Sequence, residues 1–443
     1  MSNSYKTLVE FLKIKSVSTQ SDYLPEMKRA REFITDKLKT MSFKTRILKA
    51  KSHDAVFGQL ITDPSAPTIL IYGHYDVQPA EPLTEWKTEP FIPTIIKRKI
   101  YARGATDNKG QITIHIEAVK KFLEQKKRPN INFKFIIEGE EELGSPGIVN
   151  LANKYAKTLF KCDYLIVSDS EMPKKGNPAI DISLRGIIYT QIDLEVGKHD
   201  LHSGQFGGVS PNPANVLAQI IAELKFADGH INIPGYYKDV VSPTKEELKY
   251  FKKLKTKAST ITEEGEFYVI GGGEEKYSLN ERRWSRPTLD VNGIWGGYQG
   301  DGEKTIIPAR AGAKISMRLV ANQNPEKILK NYDDFVKSMI PKGVKIKITH
   351  YISGRAYKSS TDHKIFKLIE KALKHGFGKE PVFSGVGGSI GFVPIVAEKL
   401  EVPVLMVGFG LPTENLHAPN ENFDLDNFDN GIKTILYFLN NLK

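Results

Sequence analysis

The sequence predicts an α/β protein: a mostly parallel sheet with helices on both faces, interrupted by an inserted α+β domain. Three observations carry this. Up to about residue 184, short apolar β-branched runs alternate with amphipathic helical stretches, the pattern of a largely parallel sheet. Near Ser183 the pattern changes to alternating strands and Gly-rich turns, and from about Lys358 the strand–helix alternation returns. The expected division is 1–184 and 358–443 for the α/β domain and 185–357 for the insertion. A chain of 443 residues is also too long for one ordinary core.

The elements follow in order. Residues 24–41 read as a helix, with Pro25 at its start and Met27, Ala30, Phe33, Ile34 and Leu38 as its apolar stripe. Strand patterns cover 43–48, 55–61 and 68–72, and a Pro-rich connection runs from Pro79 to Pro93. A Gly-bounded loop at 101–110 leads to a helix over 111–125, a buried strand over 131–137, a helix near 148–157 and a strand over 164–167. In the insertion, 187–196 alternates like a half-buried strand, and that alternation is taken as an edge strand. Helices are expected at 213–224, 244–257 and 325–339, and strands at 314–320 and 344–350. The last part reads as helix 361–375, strand 403–407, a loop holding His417, and a final helix.

The third strand of this series ends on Gly73 and delivers His74 and Asp76, two residues apart. In extended chain such residues share a face. Both therefore point into one crevice at a strand's carboxyl end, where open α/β sheets put their chemistry. An imidazole beside a carboxylate suits a metal ligand and its orienting partner. The plainer reading is a strand-end His in a polar loop.

Composition narrows the classes. Hydrophobic content of 40% and charged content of 26% are ordinary for a globular protein. No apolar run approaches the roughly 18 residues of a membrane span. Residues 1–18 are amphipathic without the apolar stretch of a signal peptide. The single cysteine, Cys162, excludes an internal disulfide, and together these favour the cytoplasm. The net charge of +11 is spread along the chain rather than gathered. Its densest patches, Lys126-Lys127-Arg128 and Lys249 to Lys257, fall in predicted helices or helix ends, so no nucleic-acid partner is expected.

Two more strands end in acidic clusters, Glu141/Glu142 and Asp169, and Asp107 and His417 lie in loops of the same α/β domain. Any one is weak, since strand-end carboxylates are common and solvated. Gathered in one crevice they would repel each other, and cations would relieve that cost. Two divalent ions, balanced by three carboxylates and a hydroxide, would make the cluster neutral. Glu141 and Glu142, being adjacent, would point apart, so that one could bind metal while the other handles protons.

The resemblance rests on five motifs in order. These are Gly73-His74-Tyr75-Asp76-Val77-Gln78-Pro79, Arg103-Gly104-Ala105-Thr106-Asp107-Asn108-Lys109-Gly110, Glu138-Gly139-Glu140-Glu141-Glu142-Leu143-Gly144-Ser145, Ser168-Asp169 and Leu416-His417-Ala418. The chain resembles the co-catalytic di-zinc peptidases, which include carnosinase-like dipeptidases, acetylornithine deacetylase and succinyl-diaminopimelate desuccinylase. It is most similar to the cytosolic carnosinase-type dipeptidases. That likeness rests on the form of the first motif, the long insertion, and Val291-Asn292-Gly293-Ile294 followed by Lys304-Thr305-Ile306-Ile307-Pro308.

The resemblance implies roles. Asp107 would bridge two divalent ions, zinc first with manganese or cobalt as alternatives. His74 and Asp169 would complete one site, and Glu142 and His417 the other. Asp76 would orient His74. Glu141 would be the general base that makes a metal-bridging hydroxide, and Glu140 would lie outside the site. It also implies a cis peptide bond after Asp107. In the insertion, His202 would donate to the tetrahedral oxyanion and Arg318 would hold the substrate carboxylate. Thr305, Ser389 and His350 would be further substrate contacts. At the last, the chain reads His350-Tyr351-Ile352-Ser353-Gly354-Arg355 where such relatives carry His-Gly-Gly. The implied activity is hydrolysis of the peptide bond of dipeptides by a homodimer, with His202 and Thr305 reaching the partner's crevice. The rival on the same site is a deacylase or desuccinylase of N-acyl amino acids. A non-catalytic binder of anions or nucleic acid is the reading from another class.

Overall fold

The structure is a computed structural model that describes residues 3–125 and 129–443; the basic patch at 126–128 lies outside the described residues. Its larger sheet runs in the order Lys44–Leu48, Ala55–Leu60, Asn132–Glu138, Thr68–His74, Tyr164–Val167, Val404–Met406, Ala179–Leu184, Tyr357–Lys358, with Val382–Val386 also on Ala179–Leu184. The centre is parallel: Thr68–His74 pairs in parallel with both Asn132–Glu138 and Tyr164–Val167, and the latter with Val404–Met406. The antiparallel hairpin Lys44–Leu48/Ala55–Leu60 closes one edge.

The strand Thr68–His74 shows why the sheet is covered twice. Ile69 and Ile71 belong to one buried cluster, with Phe11, Phe122 and Phe428. Leu70 and Tyr72 belong to another, with Phe160, Phe392 and Val396. Successive side chains leave a strand on opposite faces, so a continuous apolar run requires helices on both. Lys109–Gln125 and Leu425–Asn441 cover the first face, and Pro146–Tyr155 and Phe392–Leu400 the second.

The second sheet is antiparallel, in the order Thr288–Gly296, Arg310–Leu319, Gly186–Glu195, Lys345–Gly354. Helices Pro213–Leu224 and Pro325–Ser338 bury Leu217, Ile220, Tyr332 and Val336 against Ile188, Ile192, Ile315 and Met317. One expectation is corrected here. Gly186–Glu195 is paired on both sides and is central; the edges are Thr288–Gly296 and Lys345–Gly354. Alternation reports that one face is buried, which holds for central and edge strands alike.

The chain passes between the sheets at Arg185 and again at Arg355-Ala356, since Leu184 and Tyr357 pair in the larger sheet and Gly186 and Gly354 lie in the smaller one. Within the insertion, the stretch holding helices Lys245–Lys253 and Leu279–Trp284 packs on the larger sheet. Tyr250 packs against Phe383 with ring centroids 4.5 Å apart and Lys358 pairs with Glu247 at 2.7 Å.

Candidate metal centre and substrate pocket

Strands Thr68–His74, Asn132–Glu138 and Tyr164–Val167 run parallel and end together, so their following residues meet. The first strand needs Gly73, because a Cβ there would meet Asn108 Oδ1 at 2.9 Å and Ile112. His74 and Asp76 are fully buried. His74 Nδ1 faces the Asp76 carbonyl at 3.1 Å and its carboxylate at 3.4 Å, which leaves Nε2 aimed at the crevice.

Asp107 presents one oxygen to each imidazole. Oδ1 lies 3.0 Å from His74 Nε2, which is 3.5 Å from Asp169 Oδ1. Oδ2 lies 2.9 Å from His417 Nε2, which is 3.4 Å from Glu142 Oε2. Asn108 donates to the Ser168 carbonyl at 2.7 Å and to Asp169 at 2.8 Å, and the Asp107–Asn108 peptide bond is cis.

The triple-Glu run sorts itself by contact. Glu140 is fully buried and accepts from the backbone of Ser52 at 2.8 Å, His53 at 3.2 Å and Gly147, so it is spent on structure. The turn Glu141–Leu143 is pinned by Asp76, whose carboxylate accepts from Glu141 N at 3.2 Å and Glu142 N at 3.0 Å. Glu142 is held by Gln78 at 2.8 Å. The Glu141 carboxyl accepts no hydrogen bond among the described residues and faces the cluster.

The donor set fits divalent ions. Tetrahedral ligands about 2.0–2.2 Å from an ion stand about 3.3–3.6 Å apart, near the 3.5 Å from His74 to Asp169 and the 3.4 Å from His417 to Glu142. One ligand atom each of His74, Asp107 and Glu142 lies within 4.8 Å of the others. His74 Nε2 is buried and makes no well-aligned hydrogen bond, although Asp107 Oδ1 stands 3.0 Å away. The charges agree. Burial, with Asp169, Glu142 and Asp107 and against His74, raises the Glu141 carboxyl well above the usual range. Burial and Asp107 push Glu142 up to about 8. The hydrogen bond that His417 donates to Asp107 lifts its imidazole to about 9 despite burial. Groups so crowded take up positive charge, as a site made for cations does.

Sequence reasoning missed the residues that hold Asp107. Glu421, fully buried, accepts from Gly104 N at 2.8 Å, Thr106 N at 3.0 Å, Asp107 N at 3.1 Å and Arg103 at 2.9 Å. Glu414, also buried, accepts from Thr106 Oγ1 at 2.7 Å. The available signal was two acids flanking Leu416-His417-Ala418 in a short loop.

The remaining candidates form separate groups. Arg318 donates to Ser389 Oγ at 3.0 Å, so these two candidates are in contact. His202 is exposed in the ribbon Leu201–His202/Ile306–Ile307, next to Thr305, and neither residue bonds to the cluster among the described residues. His202 Nδ1 accepts from Gly204 N at 3.0 Å, so its proton sits on Nε2, free to donate. His350 lies on the edge strand with Nε2 3.0 Å from Asp333, apart from both groups.

A parallel sheet whose carboxyl edge gathers two His–carboxylate pairs around one aspartate, with a free glutamate beside them, is the catalytic architecture of a metal-dependent hydrolase. The model of "Peptidase family M20/M25/M40" matches residues 70–441. The Cys-Gly metallodipeptidase dug1 of Schizosaccharomyces pombe is 34% identical over 87% of this chain and 82% of its own. The Beta-Ala-His dipeptidase of Homo sapiens is 30% identical over 86% of this chain and 76% of its own. The solved M20 family metallo-carboxypeptidase Sso-CP2 from Sulfolobus solfataricus is 32% identical, with a TM-score of 0.89 over 99% of both chains. The chain belongs to this peptidase family and is a metallopeptidase.

Proposed function

We propose that the protein is a dipeptidase that hydrolyses the peptide bond of dipeptides bearing a free C-terminal carboxylate. The observation that carries this is Asp107 set between the His74/Asp169 and His417/Glu142 pairs, with the unengaged Glu141 carboxyl beside them. The similarity to two dipeptidases supports the substrate class.

Those five residues would hold two divalent ions, zinc first among the candidates. Bound there, the ions would polarise the scissile carbonyl and acidify a water. Glu141 takes the proton of the attacking water and passes it to the leaving amine. Asp76 fixes both the His74 ring and the turn carrying Glu141, so acid and ligand stay in register. Arg318, supported by Ser389, pairs with the substrate carboxylate, for which a planar guanidinium is the natural partner. The Nε2–H of His202 donates to the oxyanion of the tetrahedral intermediate.

Since His202 is exposed and neither it nor Thr305 bonds to its own chain's cluster among the described residues, we take both to serve a partner's site in a homodimer. The free edges Thr288–Gly296 and Lys345–Gly354 are the surfaces available for strand pairing, and Ile294 is exposed on the first. No described helix is long and apolar enough to cross a membrane. The cytoplasm remains our assignment, on the single buried Cys162.

The deciding assay sets dipeptides, N-acetyl amino acids and longer peptides side by side with purified protein. Fastest turnover of dipeptides supports the reading. Faster turnover of N-acetyl amino acids makes the protein a deacylase, and faster trimming of longer peptides makes it a carboxypeptidase.

A further inference from the structure

The hinge between the two sheets carries a second arginine that the roles above do not use. Arg185 follows the last residue of Ala179–Leu184 and precedes Gly186–Glu195, in which Ile187 is the register partner of Arg318. It meets the same loop as Arg318. Its backbone N–H donates to the Gly388 carbonyl at 3.0 Å and its Nε to the Gly387 carbonyl at 3.2 Å. Its own carbonyl accepts from Ser389 Oγ at 2.5 Å, the hydroxyl that Arg318 contacts at 3.0 Å. Gly387 keeps the approach open, since a Cβ there would stand 3.2 Å from Arg185 Nη2.

These contacts occupy Nε and leave the outer guanidinium nitrogens without an acceptor among the described residues. Nη1 is buried and has no hydrogen-bond partner among the described residues. Burial first, and Arg318 next, push Arg185 down to about 10. The acid that acts on both arginines, Asp290, already pairs with Lys225 at 3.6 Å. Two guanidinium groups on one loop, partly out of water and close enough to act on each other, are unfavourable in the free protein. An arriving anion reverses that balance.

We propose that Arg185 is the second guanidinium of the substrate-carboxylate pocket, so that the C-terminal end of the substrate is read by Arg185 and Arg318 together across the Gly387–Ser389 loop. This rests on the reading of Arg318 and Ser389 as a carboxylate pocket. It makes an anionic terminus a stricter requirement than one arginine would impose.

The test measures kcat and KM for a dipeptide and its C-terminal amide with wild type, Arg185→Gln, Arg185→Lys and Arg318→Gln. Losing one hydrogen bond to a charged group corresponds to roughly 10- to 100-fold. We expect Arg185→Gln to raise KM for the free acid by that factor, with kcat changed far less and the amide kinetics nearly unchanged. Arg185→Lys, which keeps the charge and much of the shape, should keep part of the discrimination. If Arg185→Gln lowers kcat/KM equally for acid and amide, or Arg185→Lys behaves as wild type while Arg185→Gln only melts earlier, Arg185 is a structural hinge residue and the proposal falls. If wild type itself treats acid and amide alike, the whole carboxylate pocket falls with it. If the protein proves to be a deacylase, an N-acetyl amino acid and its amide replace the pair, and the same comparison decides Arg185.

Discussion

Glu421 holds Asp107 by the backbone: its Oε1 accepts the Asp107 N–H at 3.1 Å while its Oε2 accepts from Gly104 and Arg103. The residue that joins the two His–carboxylate pairs is thus set in place from a loop that also carries His417. Glu421→Gln keeps the size but turns one acceptor into a donor facing Arg103. Positioning groups around metal ligands are worth about 10–100-fold in affinity. The variant should bind added zinc that much more weakly by calorimetry and regain most activity at saturating metal. The melting temperature should also drop, because breaking a buried ion pair costs about 3–5 kcal/mol. Unchanged metal affinity would leave Glu421 with a folding role only.

Metal dependence follows from the cluster itself. Exhaustive chelation should abolish hydrolysis, and a divalent ion added back should restore it. His74→Ala and His417→Ala should each lose bound metal by elemental analysis. Full activity in protein shown to be metal-free would end the reading.

The Glu run gives a paired test. Glu141→Gln should keep metal content near wild type and lose activity by ~10²–10⁴-fold, the usual weight of general base catalysis. Glu140→Gln should do the opposite. It places an amide donor among the backbone N–H groups of Ser52, His53 and Gly147, costing about 1–3 kcal/mol of stability. Activity per folded molecule should survive. A dead but stable Glu140→Gln would shift the assignment by one residue.

Sharing of the site between subunits is read out by mixing. His202→Ala and Glu141→Gln should each be nearly inactive alone. In a mixed dimer one site receives His202 from one chain and Glu141 from the other, so up to about half the activity per mixed dimer should return. Mixed dimers that form and stay dead would place His202 with its own chain.

His115 gives stability a pH dependence. It is fully buried, its Nε2 faces Ser168 Oγ at 2.8 Å, and burial pushes it down from 6.5 to about 3. Between those values only the unfolded chain binds the proton, so stability falls as pH drops from 6.5 toward 3, by up to ~1.4 kcal/mol per pH unit. Urea midpoints of His115→Gln should fall less steeply with acid than those of wild type; parallel curves would remove His115 from the account.

The sequence by itself determined the parts whose cause is local. Ile69, Leu70, Ile71 and Tyr72 are a strand buried on both faces because every one of them is apolar, and His74 and Asp76 share a face because they are two residues apart. Helix Pro213–Leu224 was legible from its apolar period and the Pro at its start. Strands Ala179–Leu184 and Val382–Val386 and helix Phe392–Leu400 were not, because their local patterns are short and they form through partners far along the chain. Thr288–Gly296 was not legible as a strand either; it pairs along Arg310–Leu319 with a register shift between Val291 and Gly293. The tertiary structure alone decided that Gly186–Glu195 is central, since pairing on both sides leaves no trace in one strand's alternation. It also set the surroundings of each carboxyl in Glu140-Glu141-Glu142. The three are identical in chemistry and adjacent in sequence, and they differ only in what each carboxyl meets: backbone N–H groups, an open crevice, or His417. The same holds for Arg185 and Glu421, whose partners lie about 200 and 315 residues away. A buried charge takes its function from the groups folded around it, and those distances are set only when the whole chain has packed.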